Sequence, residues 1–149
     1  MNKKKIITLI IAAFAAVSLG WIFIGNPIVA YNNHRLKKAV ISVANQETVE
    51  INEIIPFDWD AVYTFSPYED KAEIEKTIGF HSKSVKENNI NEGMVHLLFV
   101  KDKKVAASVL GYGAHLGYRI DFPSKVSFAE HALFHVSNSD GTVTLTYVP

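Results

Sequence analysis

The sequence predicts an α+β protein: an N-terminal transmembrane helix, then an antiparallel β-sheet of five to seven strands with one or two helices packed on it. Three observations carry this. Ile6 to Gly25 runs without a charge, Asp70 to Gly79 reads as a capped helix, and Thr142 to Val148 alternates apolar and polar residues. The expected organisation is a basic start and anchor over 1–31, a juxtamembrane helix or spacer over 32–47, and one α+β domain over 48–149.

The apolar run IITLIIAAFAAVSLGWIFIG follows Lys3, Lys4 and Lys5. Twenty residues at about 1.5 Å each match a hydrocarbon layer of roughly 30 Å. Trp21 and Tyr31 suit the level of the headgroups. A cleaved signal peptide is the competing reading, with Ala16-Val17-Ser18 or Ser18-Leu19-Gly20 as sites. Cleavage there would leave the apolar WIFIGNPIVAY as a new N-terminus, so an uncleaved anchor is expected. Lipid is therefore the partner expected for residues 6–25. Lysines precede the run and Arg35, Lys37 and Lys38 follow it, so positive charge alone does not set the orientation. The export-like start favours a cell-membrane location with the domain outside the cytoplasm.

Charge and cysteine content exclude several classes. Fifteen basic and fifteen acidic residues balance, but the three leading lysines leave 12 cations against 15 acids beyond Asn32. A mildly acidic domain without a basic stripe does not fit nucleic acid. With no cysteine there is no disulfide, thiolate metal site, cysteine nucleophile or lipid-modified cysteine.

Ahead of the domain, Leu36, Val40 and Val43 recur at helical spacing, so Asn33 to Ala44 is expected as a juxtamembrane helix, read first as a plain spacer and otherwise as one whose cations touch lipid headgroups. Thr48 to Ile54 and Ala61 to Phe65 read as strands. Asp70 and Glu73 form a capping-box pattern, Lys71 and Glu75 can pair across a turn, and Gly79 supplies the stop. His81 to Glu92 reads as a loop. Met94 to Val100 and Val105 to Leu110 form a hairpin whose first strand is apolar except for His96, which implies cover on both faces. Tyr118 to Phe122 is a short strand, and Ala132 to Val136 with Thr142 to Val148 is a second hairpin.

The densest chemistry lies in Pro56 to Tyr68. Asp58 and Asp60 flank Trp59, and Tyr63, Phe65 and Tyr68 follow. Paired carboxylates could serve acid–base chemistry in an envelope hydrolase. An aromatic surface of Trp59, Tyr63 and Tyr68 could bind an envelope protein, peptide or glycan. The plainer reading has the acids shape a turn while the aromatics fill the core. No catalytic residue is assigned, and the expected binding residues are Trp59, Tyr63 and Tyr68.

No metal or cofactor is expected. His131 and His135 are four apart, but on an extended chain that separates them by about 13 Å, and no HExxH glutamate is present. His96 and His115 could join them only through folding. Gly111 to Gly117 lacks the GK[ST] ending of a phosphate loop, and Ser108, Ser124 and Ser127 lack a G-x-S-x-G context.

FDWDAVYTFSPY, the helix ending in IGF, and GMVHLLFVKDKKVAASVLGY together resemble a group of small uncharacterised proteins of Gram-positive bacteria. The resemblance covers roughly Val49 to Tyr112, and IGNPI is similar to the junction after the apolar segment in such single-pass proteins. It implies an N-terminal membrane anchor or lipoprotein signal and carries over no activity. The lipobox cysteine of the lipoprotein members is missing here, which leaves the helix as the tether. The function expected is a non-enzymatic envelope binding module. The alternative is an immunity-type protein shielding the membrane from a bacteriocin or toxin.

Overall fold

A computed structural model of the chain describes the backbone of residues 3–24, 26–86 and 91–149, and the side chains of 5–15, 26–86 and 91–149. The first helix, α1, spans Lys3–Ile24. Every described side chain in it, from Lys5 to Ala15, is exposed. Among the described residues no helix is long and apolar enough to cross a membrane, which corrects the expected transmembrane helix and the single-pass topology. The side chains at positions 16–25 of the expected anchor, Trp21 included, lie outside the described residues.

Asn26 starts a second helix, α2, over Pro27–Ser42. Its side chain accepts hydrogen bonds from the N–H groups of Ile28 (3.0 Å) and Val29 (3.5 Å). Pro27 occupies the first helical position, where its missing N–H costs nothing. The next elements are β1 (Thr48–Glu50), a single turn α3 (Ile51–Ile54), β2 (Ala61–Thr64) and α4 (Lys71–Ile78). The long strands β3 (Met94–Lys101) and β4 (Lys104–Tyr112) come next, then the turn α5 (Gly113–Leu116). The chain continues through β5 (Tyr118–Asp121), β6 (Lys125–Ser127), a 3-10 turn at Phe128–Glu130, β7 (Leu133–Ser139) and β8 (Thr142–Tyr147).

These strands form two four-stranded sheets instead of the one expected, in the orders β1-β7-β8-β5 and β4-β3-β2-β6. One pairing, β5 with β8, is parallel. Alternation along a strand shows which residues face inward, but not which strand lies alongside, so both features escaped the local pattern. Two further expectations change. The strand predicted from Thr48 to Ile54 ends at Glu50 and turns into α3, and β6 went unread because it holds only three residues.

The main core lies between the sheets. Val49, Phe134, Val136 and Leu145 from the first sheet meet Val62, Leu97, Phe99 and Val109 from the second. A second cluster covers the opposite face of the β4-β3-β2-β6 sheet, where Ile74 of α4, Val85 and Val29 meet Phe65 and Leu98. Strand β3 is therefore enclosed on both faces, with Val95 to Val100 all buried.

The spacing of α2 places Val29, Asn32, Leu36 and Val40 on one buried face, and Val43 joins the core just beyond it. The segment 32–47 thus packs into the same unit as the sheets. Helix α2 packs against β4, β5 and β8. It therefore closes the side where β4 and β5 are the sheet edges. The edge of β4 is satisfied by two asparagines. Asn32 Nδ2 donates to the Ala106 carbonyl (2.8 Å) and Asn33 Nδ2 to the Ser108 carbonyl (2.8 Å). The Ser108 N–H donates back to Asn33 Oδ1 at 3.0 Å. A side-chain amide here takes the place of a neighbouring strand.

Helix α4 is capped as its sequence indicates. Asp70 accepts from the Glu73 N–H at 2.9 Å, and Gly79 ends it at φ 83°. Glu75 lies within electrostatic reach of Lys71, as expected, and gains two further partners. Its carboxylate lies 2.6 Å from His81 Nδ1 and accepts the Ser82 N–H at 2.8 Å, which folds the following loop back onto α4.

Replacing Asn33 by alanine removes two bonds and leaves a polar edge without its partner, so unfolding in urea should show a loss of about 2 kcal/mol. A loss below about 0.5 kcal/mol would mean that water serves the edge equally well.

Candidate functional site

The segment Pro56 to Tyr68 enters β2 as extended chain, whose side chains alternate. Trp59 points inward and is only 3 % exposed, while Asp58 and Asp60 point outward. The indole packs edge-on against Phe99 (5.9 Å) and Phe128 (5.4 Å), and Phe57 meets Phe99 at 5.4 Å. Trp59 is thus a core residue and cannot present an aromatic surface to a partner.

Tyr63 lies on the opposite face of the same sheet. It is half-buried, stacked on Phe65 at 6.1 Å, with the Lys125 ammonium 5.5 Å from its ring. Tyr68 is 76 % exposed on the loop before α4. Its hydroxyl donates to Glu92 at 2.5 Å, and this bond to a carboxylate raises the phenol pKa above its ordinary value. The three residues expected to form one surface therefore sit in three separate environments.

The two carboxylates do line one shallow groove of about 620 Å³, together with Asn52, Ile55, Pro56 and Phe128. Asp60 is nevertheless committed. Lys101 Nζ donates to one oxygen at 2.7 Å and the Asp102 N–H to the other at 2.8 Å. Those bonds hold its pKa below the ordinary carboxylate value, the wrong direction for a general acid. Asp60 instead fastens the β3–β4 turn, where Asp102 (φ 48°) and Lys103 (φ 55°) both take the left-handed conformation. Asp60 thus fastens a turn remote in sequence, not the local turn expected of Asp58 and Asp60, and the arrangement gives no support to hydrolysis.

The histidines are dispersed. His131 ends the 3-10 turn in a left-handed conformation and pairs with Glu50. His135 points outward from β7, and the His115 ring meets Tyr112 edge-on. Among the described residues no group of three or more histidine, aspartate or glutamate side chains could hold a metal ion.

His96 is the polar residue that the sequence reading underused, though its isolation within an apolar strand was the signal. It is buried on β3 against Phe65, with ring centroids 5.5 Å apart. Neither ring nitrogen has a hydrogen-bond partner, and Ser108 Oγ is likewise unpaired and buried. Burial lowers the His96 pKa from 6.5 to about 4.

The architecture is an α+β domain with two sheets. No protein-family model matches the chain, and no curated protein and no solved structure is significantly similar to it.

Two predictions follow from these placements. Trp59→Ala should cost about 3–5 kcal/mol of folding stability, whereas Tyr68→Ala should change it by no more than about 0.5 kcal/mol. Comparable losses in calorimetry would contradict the assignment of one to the core and the other to the surface. His96 is neutral when folded, and the unfolded chain binds its proton more readily. Its contribution is thus present above about pH 6.5 and lost as pH falls toward 4, by about 3 kcal/mol in all. His96→Leu should flatten that part of a stability–pH curve measured by denaturation, and an unchanged slope would rule His96 out as its source.

Proposed function

We propose that this chain is a non-enzymatic interaction module that associates with membrane lipid through α1 and presents the two-sheet domain to an envelope protein, peptide or glycan. One observation carries the reading: Ile6, Ile7, Leu9, Ile10 and Ile11 are all exposed on α1. At about 100° per residue they cover roughly half of the helix circumference. A contiguous apolar surface of this kind is stable only when something other than water covers it. Lipid is the cover proposed, with lysines just ahead of the apolar residues as expected for a segment at a charged interface. The proposal asks only for association with lipid. The resemblance over Val49 to Tyr112 to small membrane-anchored Gram-positive proteins points the same way. The burial of Trp59 removes the aromatic surface from this reading, and the engagement of Asp60 removes the support for catalysis.

The full chain should float with neutral phosphatidylcholine vesicles in a density gradient. The double substitution Ile7→Lys and Ile10→Lys should leave it in the aqueous fraction with an unchanged melting temperature. Wild-type protein that stays at the bottom of the gradient would refute lipid association through α1.

A further inference from the structure

Helix α2 carries a second exposed stripe, opposite its core face. Ile28 (65 % exposed) and Tyr31 (62 %) lead it, and Arg35, Lys38 and Ile41 continue along the same side. Arg35 is half-buried and its guanidinium carbon lies 5.6 Å from the centre of the Tyr31 ring. Such a contact holds a cation beside an amphipathic ring. Lys37 is exposed on the flank of the helix next to Ile41, and α2 contains no acidic residue.

We propose that this stripe is a docking surface for the phosphate headgroups of an anionic lipid surface. The stripe has the composition of an interfacial helix: apolar side chains, an aromatic ring and cations on one side of a helix whose other side is fixed to a domain. Three occupants compete for it. A second copy of the chain would set Arg35 and Lys38 against their own like charges, which disfavours it. An acidic peptide would satisfy the cations, but nothing places it near α1. A lipid surface satisfies both, because only residues 25 and 26 separate the stripe from the helix with exposed isoleucines. The inference rests on the proposed lipid association and extends it from apolar contact to headgroup charge.

The test compares the full chain on vesicles of phosphatidylcholine alone and of phosphatidylcholine with phosphatidylglycerol. Wild-type protein should partition more strongly into the anionic vesicles, and the gain should shrink as salt rises. The double substitution Arg35→Gln, Lys38→Gln should lower partitioning into anionic vesicles by roughly twenty-five-fold, at about fivefold per charge. It should leave binding to neutral vesicles and the melting temperature unchanged, and Arg35→Lys with Lys38→Arg should retain the anionic preference. Equal losses on both vesicles, or no loss on either, would overturn the proposal. So would a wild type that shows no anionic preference, or one whose cations titrate with a poly-glutamate peptide and ignore phosphatidylglycerol. If binding to neutral vesicles is absent while the anionic preference persists, the α1 reading fails and the α2 proposal stands.

Discussion

The hydrogen bonds that Asn32 and Asn33 make to the edge of β4 fix α2 to the sheets. Two packed sheets leave open sides where their edge strands run, and each such side exposes both unpaired backbone groups and the core behind them. Helix α2 answers both needs at β4 and β5. Its asparagines take up the backbone groups of β4, while Leu36, Val40 and Val43 fill the space between the sheets. The opposite side is closed differently. Ile51, Ile55 and Trp59 join the core there, and Asn52 Nδ2 donates to the Phe128 carbonyl at 2.5 Å. The domain consequently includes the segment that follows α1, and movement of α2 is coupled to the sheets.

Enclosing β3 on both faces yields much of the core, and it also creates the least favourable spot in the molecule. Six consecutive residues from Val95 to Val100 are buried, and His96 is the one among them with polar side-chain atoms. With both ring nitrogens unpaired, the imidazole is kept neutral by its surroundings. A leucine of similar volume would leave no orphaned polar atoms there. Nothing in the packing explains the choice of histidine at this position.

What could be read from the sequence was local. The capping box at Asp70 and Glu73, the Gly79 stop and the alternation of Val143 and Leu145 against Thr144 and Thr146 arise within a few residues, and each takes its expected form. The enclosure of β3 was legible too, because an apolar run needs cover on both faces. Partner choice was not legible. The division into two sheets and the parallel β5–β8 pair depend on residues more than twenty positions apart, such as Tyr118 and Val143. The candidate site failed for the same reason. Asp58, Trp59 and Asp60 look like a functional cluster in a linear reading, but an extended chain sends the tryptophan inward, and only folding brings Lys101 and Asp102 to Asp60.

The position of β8 in its sheet has a consequence for how the chain reaches this state. It lies between β7 and β5, and β7 in turn carries β1. While β8 is absent, β5 has no partner in its sheet and β7 has only the three-residue β1. The β7–β8 hairpin is local, but the β5–β8 pairing that completes the sheet is not, and its closure entropy must be met before the contacts of β5 reward it. The β3–β4 and β7–β8 hairpins can form early by comparison. The inner face of that sheet is complete only when β5 joins the β7–β8 hairpin, so covering the core is tied to the last long-range pairing and not to either hairpin alone.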